Sequence, residues 1–365
     1  DGHCIPIFFN MHNENSSITL NIKDNVTMKF FLLSIVLFII SSVSPVSAER
    51  KDVSLQDKLL GMEEQTNSPV PVSAFVLLDA RDDISRDVFY AYWRDVHGIL
   101  AARYDMAGRN YFQHHLDIVD QQFWPNTQSV QTVPEVADHI EGVAVATFGY
   151  TSKEADQAVK ERNMKISSLV LQDEQNIFKG TYSFFSIDKN SILMKSSERG
   201  EGLYTVIVLL RKIEKIKLLS FQSYLRDELA PALAADDRSE KVVLNFLEDH
   251  TLTAYSSPGV DNILPVDKRY DAVLEMGFET AEAATNLFNA EPIKKIISKQ
   301  QLFLKAAFAY PVRATYTMAY NGRPTQVGLR GYPAMKAINS VGADNQKRLE
   351  LLQVIYGADT KIPVQ

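Results

Sequence analysis

The chain has 365 residues, 45% of them hydrophobic and 23% charged. This is ordinary globular usage, at a length typical of about two domains. A formal net charge of -7 and a pI near 5.6 argue against a nucleic-acid partner, which needs clustered positive charge. The single cysteine, Cys4, lies ahead of the predicted mature chain, so thiolate catalysis, Cys-ligated zinc and iron–sulfur clusters are excluded there.

Residues 1–27 are a polar segment ahead of a good start at Met28, and are read as an upstream extension outside the fold. Met28-Lys29, the apolar run Phe30 to Ile40 and the small-residue site Val46-Ser47-Ala48 read as a signal peptide over 28–48. The apolar run is too short to span a bilayer, which takes roughly 20 residues. The expectation is an exported protein, periplasmic or secreted, with no stable membrane insertion after cleavage. Residues 49–71 are a charged tail and a Pro-containing linker.

Ser73–Asp79 then reads as a buried strand. Ser85 is a good N-cap for a helix over Arg86 to Ala102, with the stripe Phe89, Trp93, Val96 and Leu100. Strands are predicted at Asn110–Val119, Gly142–Tyr150 and Asn176–Ile187, with a helix from Ser152 to about Met164. Asp188–Gly202, rich in Ser, Lys and Gly, reads as a linker. A second series follows: strand Leu203–Leu210, helix Leu219–Leu233, strands Lys241–Asp249 and Tyr270–Phe278, helix Ala281–Ala290 and strand Gln301–Pro311. In the extension 312–365, Arg313–Ala319 fits a further strand, and Pro333–Asn339 and Asn345–Ile355 fit helices that clasp the fold. Arg330 and Tyr332 are placed at a pocket mouth.

Within the two series, the stretches 75–115 and 207–247 match without a gap. An offset of 132 carries Phe89, Tyr92, Arg94 and Asp95 onto Phe221, Tyr224, Arg226 and Asp227. The same offset carries Trp93 and His97 onto Leu225 and Leu229, and Tyr111, Gln113 and His115 onto Val243, Asn245 and Leu247. An offset of 128 relates Gly149-Tyr150 to Gly277-Phe278. The order β-α-β-β-α-β is the ferredoxin-like unit. The predicted class is therefore α+β. It has two ferredoxin-like repeats, 72–190 and a degenerate 203–311, packed sheet to sheet as an intrachain dimeric α/β barrel with a helical C-terminal extension. A monomer with an internal pseudo-dimer follows. Alternation along strand 110–119 predicts that Tyr111, Gln113 and His115 face the barrel and that His114 faces the helices.

Phe89-x-x-Tyr92-Trp93-x-x-x-His97-Gly98, followed by Arg109-x-Tyr111-x-Gln113-x-His115, resembles the EthD family of the dimeric α/β-barrel superfamily. The resemblance covers about residues 72–187. It implies small-molecule chemistry on apolar, often aromatic compounds, of the cofactor-independent oxygenase, cyclase or decarboxylase type.

Each candidate also has a structural reading. His115 and Tyr111 are the catalytic candidates, because an unperturbed imidazole suits proton transfer near neutrality and a phenol donates to a substrate oxygen; both residues also suit a packed strand. Gln113, Trp93 and His97 are the substrate-binding candidates. Trp93 equally fits a core, and His97 a helix C-terminus. Adjacent His114 and His115 point to opposite faces of a strand and cannot share a metal ion. No motif demands a metal, haem or nucleotide, and no cofactor is expected. The leading expectation is an exported enzyme acting on a small apolar or aromatic ligand by proton transfer. The rivals are a non-catalytic binding protein using the same barrel and a structural or assembly partner.

Overall fold

The runs rich in β-branched and aromatic residues form the strands. In the first half these are β1 (Val72–Ala80), β2 (Gly108–Leu116), β3 (Gly142–Phe148) and β4 (Phe178–Ile187). A short β5 (Ser191–Lys195) follows, inside the stretch expected to be only a linker. The second half supplies β6 (Tyr204–Lys212), β7 (Ser239–Phe246), β8 (Ala272–Phe278) and β9 (Leu304–Tyr320). This is a computed structural model that describes residues 72–103, 108–127, 129–136, 139–148, 169–187, 190–196, 202–248, 257–358 and 360. The upstream segment, signal peptide, tail and helix from Ser152 to Met164 lie outside the described residues.

The segments expected as two strands on either side of Pro311 are the single strand β9. Its first part pairs with β6, Phe308 opposite Leu209. Its second part pairs with β2, Tyr316 opposite Gln113. Pro311 cannot donate to a ladder, and it sits where β9 passes from one neighbour to the other. All the strands form one antiparallel sheet in the order β4-β1-β3-β2-β9-β6-β8-β7-β5, with β10 (Arg323–Pro324) on β9. The sheet curls. Phe185 of β4 bridges Glu248 just past β7, where the Glu248 amide donates to the Phe185 carbonyl at 2.8 Å. Phe75, Leu77, Phe184, Ile207, Phe308 and Tyr310 from both halves form one buried cluster on one face of the sheet. The interior expected to hold a ligand is therefore lined by packed aromatic and aliphatic side chains, with the buried Arg211 guanidinium stacked on Tyr270 and Phe308 among them.

The helices cover the other face. Ser85 caps α1 (Arg86–Tyr92), and its hydroxyl accepts from the Val88 amide. A π-helical turn, Trp93–His97, interrupts the helix before α2 (Gly98–Arg103). The wider turn inserts one residue and shifts the phase of everything after it. Val96, expected on the buried stripe, is therefore 47% exposed, while His97 is 6% exposed. The second half repeats the device, with α3 (Leu218–Ser223), a π turn at Tyr224–Leu229 and α4 (Ala230–Ala235). After α5 (Ala281–Phe288) comes α6 (Glu291–Ile297), a helix the sequence reading leaves unassigned. Its Pro292 lies in the first turn, where a missing N–H costs nothing.

Between β2 and β3 the chain crosses to the other half. Phe123, Trp124 and Val130 join the second half's helix–sheet core. Trp124 packs on Phe288 and donates its indole N–H to Gln300 Oε1 at 2.7 Å. We predict that Trp124→Ala costs ~3–5 kcal/mol in urea unfolding, the range for deleting a large buried side chain. A cost below about 1 kcal/mol would contradict the assignment of this loop to the core.

Candidate functional site

Strand register sets which residues correspond between the halves. Val72 pairs with Phe148 in β1·β3, as Tyr204 pairs with Phe278 in β6·β8. Tyr111, Gln113 and His115 stand opposite Ala146, Ala144 and Gly142. Val242, Leu244 and Phe246 stand opposite Met276, Leu274 and Ala272. The counterparts of the polar trio are therefore Val242, Leu244 and Phe246, not Val243, Asn245 and Leu247. One fewer residue separates helix and strand in the second half.

The alternation along β2 is as expected, but the faces are exchanged. Tyr111 packs with Phe89, Trp93 and Met318 on the helix side, while Leu116 belongs to the opposite cluster. His114 shares the Leu116 face, with Nδ1 3.0 Å from Thr315 Oγ1. The trio stays on the helix side because the helix layer offers it hydrogen-bond partners. Gln113, fully buried, donates through Nε2 to the Trp93 carbonyl and to the Tyr111 hydroxyl, each at 3.0 Å. The Trp93 carbonyl also receives the Gly98 amide across the π turn.

That orientation turns Gln113 Oε1 toward His115 Nε2 at 3.4 Å. His115 therefore carries its proton on Nε2 and donates. Its ring stacks on Trp93 with centroids 4.6 Å apart and meets the edge of Tyr316 at 5.0 Å. Two glycines make the space. A Cβ at Gly98 would lie 2.5 Å from Gln113 Nε2, and one at Gly142 2.5 Å from Trp93 Cζ3. The matched positions hold Ala230 and Ala272.

Burial, with Arg94 and His114 adding, drives the His115 imidazole down to about 3. It stays neutral across the physiological range, a weaker base than a free imidazole. Burial also pushes the Tyr111 phenol up to about 12, which keeps it a hydroxyl donor. His97 differs. Its Nδ1 donates to Asp173 Oδ2 at 2.9 Å, and Tyr92 donates its hydroxyl to Asp173 Oδ1 at 2.6 Å. Burial raises the Asp173 carboxyl, but the bonds from His97 and Tyr92 outweigh it and hold the group below the ordinary carboxylate range. This is an imidazole oriented by a carboxylate, the arrangement that fixes a tautomer and leaves Nε2 as a base.

Asp173, the adjacent Glu174 and Glu141 stand outside the motif residues. The acid pair Asp173-Glu174 just ahead of a strand was the available signal. Glu141, half-buried just ahead of β3, is raised by its partial burial to about 7, although the Ala80 amide donates to it at 2.9 Å. Arg330, expected at a pocket mouth, instead braces the tail by donating to the Gln346 carbonyl at 2.6 Å. Tyr332 does lie beside the site, its ring over the Arg94 guanidinium at 4.8 Å. Among the described residues there is no group of three His, Cys, Asp or Glu arranged to hold a metal ion.

Two opposite pH effects follow. The folded pKa of His115 is depressed from 6.5 to about 3, so stability is lost as pH falls from 6.5 toward 3. His115→Phe, which installs the matched residue, is expected to flatten that acid limb in pH-dependent unfolding. The folded pKa of Glu141 is raised from 4.5 to about 7, so stability is lost as pH rises through that window. Glu141→Gln should stabilise by at most ~3 kcal/mol at pH 8 and by much less at pH 4.5. An unchanged pH profile in both variants contradicts these assignments.

No protein-family model matches the chain, and no curated protein matches it. Solved structures do match. One is a "putative monooxygenase" of Fusobacterium nucleatum subsp. nucleatum at 10% identity, covering 69% of this chain and 96% of that one, TM-score 0.41. An anthrone oxidase-like protein matches at 10% identity over 68% and 93%, TM-score 0.40. Chlorite dismutase from Candidatus Nitrospira defluvii matches at 11% identity over 71% and 95%, TM-score 0.33. Values this low transfer none of those activities. By its own strand pairing this chain is an α+β protein with a curled antiparallel sheet.

Proposed function

We propose that this chain is an exported, EthD-like small-molecule enzyme in which two ferredoxin-like units form a barrel pair within one chain and only the first unit acts. One observation carries the reading. Trp93, His97, Tyr111, Gln113 and His115 gather in one helix–sheet layer, and the matched layer holds Leu225, Leu229, Val242, Leu244 and Phe246, all at most 4% exposed. Buried polar groups cost free energy unless they are satisfied. A duplicated scaffold that keeps them in one half alone keeps them for chemistry.

His97 Nε2 takes a proton from a small apolar or aromatic substrate, and Asp173 stabilises the imidazolium that forms. Tyr111 donates to the substrate oxygen as negative charge develops there. Gln113 fixes Tyr111, and His115 acts as a neutral spacer and stacking surface in place of the catalytic base first expected.

The test is a panel of two- and three-ring phenols incubated with the protein in air, with substrate loss followed by chromatography. His97→Gln should lower turnover by roughly 10²–10⁴-fold, the usual contribution of a positioned acid–base group. His115→Phe should stay within about tenfold of the parent. A His97→Gln variant as active as the parent would refute the role of His97. Ligand retention without turnover in the parent would favour a carrier.

A further inference from the structure

The site stands in the first half, yet part of its support comes from the second. Glu174 is the last helical residue of the segment 169–174 and is 5% exposed. Its Oε2 accepts a 2.6 Å hydrogen bond from the hydroxyl of Ser257, a second-half residue only 1% exposed. The chain around Ser257 is sewn to β4. The Thr181 amide donates to the Asp261 carbonyl and the Asp261 amide to the Lys179 carbonyl, each at 2.8 Å. Asn262 Nδ2 donates to Thr181 Oγ1 at 2.7 Å. Val260, whose amide donates to the Ser257 carbonyl at 3.1 Å, packs into the same cluster as Tyr111, Trp93 and Phe178.

Asp173 and Glu174 are neighbours in one turn. Asp173 faces His97, and Glu174 faces Ser257. A carboxylate at a helix C-terminus opposes the helix dipole, and burying one is costly without hydrogen bonds. Propensity does not place Glu174 there; the bond to Ser257 contributes to holding it, and with it the turn from which Asp173 reaches the imidazole.

We propose that Glu174 and Ser257 form a positioning pair across the two halves, which sets the Asp173–His97 dyad so that the site of the first half is complete only when the second half is docked. This rests on the reading of His97 as the proton-transfer group, but its test does not require turnover. Neither residue touches the reacting atoms. Each acts through the turn that carries Asp173.

The experiment is ¹⁵N–¹H NMR of the His97 imidazole in the full chain, with no ligand added, reading the Nδ1–H proton that Asp173 accepts. A buried, hydrogen-bonded ring proton is protected from exchange with water. Ser257→Ala is expected to speed exchange of that proton by about tenfold or more and to weaken its signal. Ser257→Thr, which keeps the hydroxyl, should restore both. Glu174→Gln should weaken the signal at least as far. Thermal melting of Ser257→Ala separates a local effect from general loss of fold. A folded Ser257→Ala protein with the parental Nδ1–H signal and exchange overturns the proposal, as does a Ser257→Thr variant that behaves like Ser257→Ala. Either result leaves His97 itself to be judged by the turnover of His97→Gln. Parental turnover in that variant would remove the catalytic reading but leave the positional coupling measurable.

Discussion

Strand β9 is the constraint on which the rest depends. It runs from Leu304 to Tyr320, gives its first part to β6 and its second to β2, and so turns two sets of strands into one sheet. An extra residue in β9 opposite the step from His115 to Leu116 reverses the alternation of its side chains, so β9 divides its residues between environments. Phe308 and Tyr310 enter the cluster shared by both halves. Tyr316 reaches the helix side, where its ring meets His115 and its hydroxyl accepts from Arg94 Nη1 at 3.2 Å. A strand from the second half thereby closes the polar layer of the first.

Within that layer one side chain sets the arrangement. Gln113 links the Trp93 carbonyl, the Tyr111 hydroxyl and the His115 ring. The π turn and Gly98 let it approach. Removing one partner from such a network strands the others, at about 1–3 kcal/mol for each buried group left unsatisfied. The second half avoids that cost by using only apolar side chains at the matched positions. It is also filled from outside by Phe123 and Trp124 of the first half. The asymmetry between halves is thus chemical and steric together.

Much of this was legible in the sequence. Ser85 announced the start of α1, and the alternation along 110–116 announced β2 and its two faces. The contrast of Trp93, His97 and Tyr111 with leucine and valine announced that the polar layer lies in the first half. Three things were not legible. A π turn has no compositional signal, so the stripe through Val96 was drawn with a regular period and missed the inward swing of His97. Which face of β2 meets the helices depends on partners distant in sequence, the Trp93 carbonyl above all, and polarity alone suggested the wrong side. The single-residue difference between offsets lies in a loop, where spacing is free to change without disturbing the strands. The ionisation of His115 follows from packing by Trp93, Tyr90 and Tyr316, which no local pattern encodes.

The central claim is that one half of the chain carries one site. Native mass spectrometry of the protein purified from its own host counts ligands per chain directly. The account predicts one small molecule per chain in the parent. It predicts none in Gln113→Leu, which installs the side chain found at the matched position and is expected to leave the folded mass and charge-state distribution unchanged. Two molecules per chain, or a molecule retained at full occupancy in a folded Gln113→Leu protein, would contradict it.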